Sequence, residues 1–131
     1  MASVEGAELA TSIPRRILVV DDDLVNQKVA TAMLARLGYN ADVVNNGADA
    51  VRCILEGTYD LVLMDLNMPV LDGIEATRAV RAATTDGPFI VATTTRVEAT
   101  TQCYEAGMDD FLAKPLTLEA LEGTVRRSAV S

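Results

Sequence analysis

The sequence predicts an α/β domain built on one five-stranded parallel sheet, and three observations carry that prediction. Short, wholly apolar runs rich in β-branched residues recur along the chain, as strands buried on both faces require. Each run is followed by a stretch of helical period, so the pattern alternates strand and helix. Glycines and turn residues fall at the joints between them.

In chain order, residues 1–14 are small and polar with little periodicity and read as a flexible N-terminal flank. Residues 15–131 read as one domain, and a chain of this length buries about two-thirds of the surface it exposes when unfolded. Ile17–Val20 is four β-favouring apolar residues in succession, the first strand. A helix follows, with Val25, Val29, Met33 and Leu37 at helical spacing and Gly38 as its stop. Ala41–Val44 is a short strand, Asn46-Gly47 a turn, and residues 48–56 a helix closed by Gly57. Leu61–Met64 is a second fully apolar strand, Pro69 and Asp72-Gly73 form a loop, and residues 74–82 are helical. Pro88 launches the strand Phe89–Ala92, residues 97–106 are helical with Gly107 after them, and Phe111–Ala113 is a last strand. Residues 117–127 close the fold as a helix with Leu118, Leu121 and Val125 inward. Parallel neighbours need crossover connections, and five such repeats suit the order 2-1-3-4-5 with helices on both faces, a three-layer (βα)5 sandwich.

Composition narrows the function. The net charge of −8, from 19 acidic and 11 basic residues, argues against a surface that grips nucleic acid. No apolar run is long enough for a membrane span, and no secretory signal is visible at the start, which together suggest a cytoplasmic setting. Cys53 and Cys103 lie apart in helical segments, with no CxxC or Cys/His cluster, and read as reduced, buried thiols. With no histidine in the chain, histidine acid–base chemistry, metal ligation and phosphohistidine must come from elsewhere. No GxGxxG follows the first strand, which removes the dinucleotide-binding reading.

In a sheet of this order ligands bind beyond the carboxyl ends of the strands, at the switch between the first and third. The residues there are unusual. The first strand ends in Asp21-Asp22-Asp23, the third in Asp65, the fourth in Thr93-Thr94-Thr95, and Lys114-Pro115 follows the fifth. Asp23 reads separately as a helix N-cap. Two carboxylates about 4 Å apart repel by on the order of 4 kcal/mol at an effective dielectric near 20. Such a cluster calls for a counter-charge, and Mg²⁺ with Lys114 would supply it. A carboxylate nucleophile, a divalent cation, an ammonium group and a hydroxyl make a phosphoryl-transfer site.

Four motifs, ILVVDDD, LVLMDLNMPVLDG, IVATT and AGMDDFLAKPL, resemble the receiver domains of response regulators in order and spacing, over roughly residues 15–128. DLVNQKVA, LGY and EAGMDDFLAKPL are most similar to the receivers of hybrid sensor histidine kinases. The resemblance implies the flavodoxin-like receiver fold and phosphorelay signalling. It implies Asp65 as phosphoacceptor, with Mg²⁺ (Mn²⁺ substituting) held by Asp22 directly, by Asp21 partly through water, by Asp65 and by the backbone carbonyl of Asn67. Lys114 would clamp the phosphoryl group, before a cis bond to Pro115, and Thr93 and Phe111 would form the switch pair. The expected donor is a histidine kinase or histidine phosphotransfer protein, and the output a downstream protein on the surface of the fourth helix, fifth strand and fifth helix. Only the chain's own phosphorylation and dephosphorylation would be catalysed, so it is not a turnover enzyme.

Three features depart from the family pattern. Phe111 stands in place of the commoner tyrosine, and Thr94 in place of a small residue beside the phosphoryl site. The segment from Thr93 to Gly107 is about one residue short, which implies that the fourth helix starts differently or is irregular. Two other readings compete: a binding module that has lost phosphorylation, and an Mg²⁺ phosphohydrolase with an aspartate nucleophile. The latter usually carries DxD and a cap domain, for which this chain has no room.

Overall fold

A computed structural model describes residues 16–68 and 71–130. The expected flank 1–14 and Pro69 lie outside the described residues. The strands are β1 (Ile17–Val20), β2 (Ala41–Val44), β3 (Leu61–Asp65), β4 (Phe89–Thr94) and β5 (Asp110–Ala113). The helices are α1 (Leu24–Arg36), α2 (Gly47–Glu56), α3 (Gly73–Ala83), α4 (Thr100–Ala106) and α5 (Leu118–Val130). All strand pairs are parallel and the order is β2-β1-β3-β4-β5, as the alternation predicts.

Strand side chains alternate between two faces, and each face builds its own core. Leu18, Val20, Val62, Met64, Ile90 and Ala92 pack with residues of α2, α3 and α4 on one side. Ile17, Val19, Leu61, Leu63 and Val91 pack with residues of α1 and α5 on the other. β1 and the first four residues of β3 are therefore apolar without a break, which is why they could be read as uninterrupted runs.

The helix ends follow local rules. Asp23, Asn46 and Asp72 cap α1, α2 and α3, each accepting backbone N–H groups of its first turn. Gly107, at φ +109°, stops α4 in a left-handed conformation that a side chain would strain. Thr93 and Thr94 extend β4 two residues beyond the apolar run. The fourth helix starts irregularly, as expected: a 3₁₀ turn over Val97–Ala99 precedes it, and Ala99 offers no side-chain cap.

The predicted inner stripe of α1 is corrected by the structure. Val25 and Val29 are 67% and 41% exposed, while Ala30 and Leu34 are the buried residues. Successive i, i+4 positions advance about 40° around a helix of 3.6 residues per turn. The ladder Val25, Val29, Met33, Leu37 therefore begins facing solvent and only its last two members reach the core. In α5, Leu121 and Val125 are buried as predicted, and Leu118 is half-buried. Both cysteines are free and helical; Cys103 is buried, Cys53 half-buried. Among the described residues no helix is long and apolar enough to cross a membrane.

Candidate functional site

The strand order places β1 beside β3, so the carboxyl-terminal tips of these two strands share one end of the sheet. Val20 pairs with Met64, which brings Asp21 and Asp65 to the same level. Both are buried, at 4% and 5% exposure, whereas Asp22 is exposed. The Lys114 ammonium donates to Oδ2 of Asp21 at 3.0 Å and to Oδ1 of Asp65 at 3.1 Å. Lys114 is itself held by its backbone N–H, which donates to the Thr94 carbonyl at 2.9 Å. The Lys114–Pro115 bond is cis, as expected.

One carboxylate oxygen from each of Asp21, Asp22 and Asp65 lies within 4.8 Å of the others. At that spacing each ionised pair repels by about 3–4 kcal/mol in an effective dielectric near 20. One ammonium cannot offset three carboxylates, and this all-oxygen donor set matches a hard divalent cation such as Mg²⁺. Burial pushes the Asp65 carboxyl above its usual range, and the Asp21 charge adds to that. The Lys114 ammonium and the Asn67 backbone N–H oppose the rise without cancelling it. Burial would lower the Lys114 ammonium, but its bonds to Asp21 and Asp65 outweigh burial and raise it. Lys114 is therefore a firm cation at neutral pH.

The other predicted residues fall around this centre. The β3–β4 register pairs Asp65 with Thr93, while Thr94 pairs with Ala113 of β5. Thr93 is thus the hydroxyl beside Asp65. Thr94 is buried, and its Oγ1 accepts the Arg96 backbone N–H at 2.9 Å, so its side chain is committed to the turn after β4. Asn67 is exposed, two residues past Asp65. Phe111 lies farther off, half-buried against the core on the α2–α4 face. Gly73 opens α3 so close to the end of β3 that a methyl group there would run into the Asp65 carbonyl. A cleft of about 110 Å³ adjoins the site between α1 and the segment after β5, with Asp21, Thr93 and Lys114 among Val29, Leu63 and Pro115 in its wall.

Sequence reasoning missed Gln27. From the second turn of α1 its Nε2 donates to the Asp21 carbonyl at 2.6 Å. The only signal was a polar side chain six residues after Asp21, which is ordinary on a surface helix.

The response regulator receiver domain family matches residues 17–126, and the chain belongs to it. It is 38% identical over 140 aligned positions to histidine kinase 5 of Arabidopsis thaliana, covering 85% of this chain but 15% of that protein. The receiver domain of a sensor histidine kinase from Pseudomonas aeruginosa, solved with a magnesium ion coordinated in its active-site cleft, is 41% identical. That alignment covers 89% of this chain and 98% of the other, with a TM-score of 0.82. The receiver domain of Saccharomyces cerevisiae Ssk1, solved with the histidine phosphotransfer protein Ypd1, is 29% identical, with a TM-score of 0.81 and coverage of 90% and 91%. The chain is a receiver of the two-component phosphorelay class, and hybrid signal transduction histidine kinases are among its relatives.

Proposed function

We propose that this receiver accepts a phosphoryl group on Asp65 from a phosphohistidine, in a Mg²⁺-dependent step that it catalyses on itself. The observation that carries this is the single ammonium of Lys114 bonded to both Asp21 and Asp65, with Asp22 alongside. Asp21, Asp22 and Asp65, with the Asn67 carbonyl, would hold the cation, and Mn²⁺, equally oxygen-seeking, would substitute. When bound, the metal supplies positive charge to the equatorial phosphoryl oxygens.

The chain's own residues do the rest. An Asp65 carboxylate oxygen attacks phosphorus in line, the P–N bond to the donor imidazole breaks, and its electron pair stays on that nitrogen. The Lys114 ammonium gives up one carboxylate contact to clamp a phosphoryl oxygen. Thr93, paired with Asp65, offers its hydroxyl to the same group. Hydrolysis of the acyl phosphate resets the site. This sequence has no histidine, so the phosphohistidine lies outside it, and the receiver solved with Ypd1 supports a histidine kinase or a histidine phosphotransfer protein as the donor. Movement of Thr93 and Phe111 would carry the signal to a protein partner on the α4–β5–α5 face. Its setting is the cytoplasm, as part of a hybrid kinase or as a separate receiver.

Intact mass after treatment with a small phosphodonor tests the proposal. The expected result is a gain of one phosphoryl group that needs Mg²⁺ and disappears in Asp65→Asn. No gain, or a gain that persists in Asp65→Asn, would overturn it and favour a module that binds without being phosphorylated.

A further inference from the structure

Three neighbours of Asp21 hold it at three points. Its Oδ1 accepts the Asp23 N–H at 2.9 Å, its Oδ2 takes the Lys114 ammonium at 3.0 Å, and its carbonyl accepts Gln27 Nε2 at 2.6 Å. Its own N–H donates to the Val44 carbonyl at 3.2 Å, so β2 holds the other side. Asp22 is different: it is exposed, and among the described residues nothing tethers its carboxylate. With no side-chain partner, its Cα–Cβ direction is set by its backbone. The peptide before Asp22 is held at the Asp21 carbonyl by Gln27, and the peptide after it is held by the Asp23 N–H on Asp21 Oδ1. Each peptide is a rigid plane, so fixing the planes on both sides of Asp22 fixes its φ and ψ and with them its Cα–Cβ direction.

We infer that Gln27 is a positioning residue for the metal site: by holding the Asp21 carbonyl it aims the Asp22 carboxylate at Asp65. The inference rests on the metal reading above. Gln27 is half-buried, and its amide crosses from the second turn of α1 back to the strand tip, a contact that N-capping by Asp23 already makes unnecessary for starting the helix. Without it, Asp22 would sample orientations that a rigid octahedral cation does not accept. Residues behind metal ligands commonly alter affinity by about 10–100-fold when removed.

The test uses Gln27→Met, which keeps length and helix propensity but has no donor, and Gln27→Asn, which keeps the amide but is one methylene too short. Mg²⁺ binding is measured by titration calorimetry, and the thermal midpoint is measured without metal. Both variants should bind Mg²⁺ about tenfold more weakly. A purely structural hydrogen bond would lower the metal-free midpoint by a few degrees and leave the Mg²⁺ dissociation constant of the folded protein unchanged. Dissociation constants within about twofold of the unsubstituted chain in both variants would overturn the inference while leaving the metal reading intact. Absence of Mg²⁺ binding by the unsubstituted chain would overturn both.

Discussion

At the scale of single residues, Lys114 decides whether the site holds together before any cation arrives. Its side chain is 17% exposed and its two carboxylate partners 6% each. Replacing it by Met leaves two buried carboxylates facing one another. Removing one partner of a buried ion pair typically costs about 3–5 kcal/mol, so Lys114→Met should destabilise the metal-free protein by roughly 3 kcal/mol in denaturant unfolding. Added Mg²⁺ should restore part of that; an unchanged midpoint would count against the geometry. Asp65 gives a pH-dependent companion. Its carboxyl is raised, mainly by burial, so the fold favours its protonated form. The stability this contributes is complete below the ordinary carboxylate range and is lost as pH rises through the raised value. Metal-free Asp65→Asn should therefore gain on the native chain between acid and neutral pH, and the gap should close again in acid. The acids and Lys114 were legible in sequence because charged side chains at the ends of apolar strands are conspicuous. Gln27 was not, because a glutamine on a polar helix face carries no pattern, and only the 2.6 Å bond to the Asp21 carbonyl reveals it.

At the scale of elements, legibility followed burial. β1, β3 and β4 are buried on both faces, so their apolar runs admitted one reading. α1 did not, because Leu24, Val25, Val29, Met33, Leu34 and Leu37 spread around the helix and offer more than one candidate stripe. Two substitutions test the corrected face. Leu34→Ala should cost about 2–5 kcal/mol, as truncation of a fully buried leucine does, whereas Val29→Ala should stay within about 0.5 kcal/mol. Comparable losses at both positions would contradict the observed packing. The irregular start of α4 was legible as a shortened segment, but not its form. The bond from the Arg96 N–H to Thr94 Oγ1 and the 3₁₀ turn at Val97–Ala99 depend on local backbone geometry that residue types do not specify.

For the whole molecule, the parallel sheet gathers chemistry from sequence-distant segments at one edge. Asp21 and Lys114 are 93 residues apart yet bonded, because β1 and β5 point their carboxyl ends the same way. The same topology links the site to a distant surface. Thr94 and Lys114 join β4 to β5, and Arg127 of α5 pairs with Asp110 of β5 at 2.7 Å. Phosphorylation should therefore change amide exchange chiefly along α4, β5 and α5, with little change in α2; uniform change would argue against a directed switch. The central claim is that these converging groups make Asp65 the phosphoryl acceptor. The most direct measurement treats the chain with phosphodonor and Mg²⁺, reduces any acyl phosphate with borohydride, and locates the resulting homoserine by peptide mass spectrometry. The account predicts the mark at position 65 alone, and a mark at Asp21, Asp22 or any other acid would contradict it.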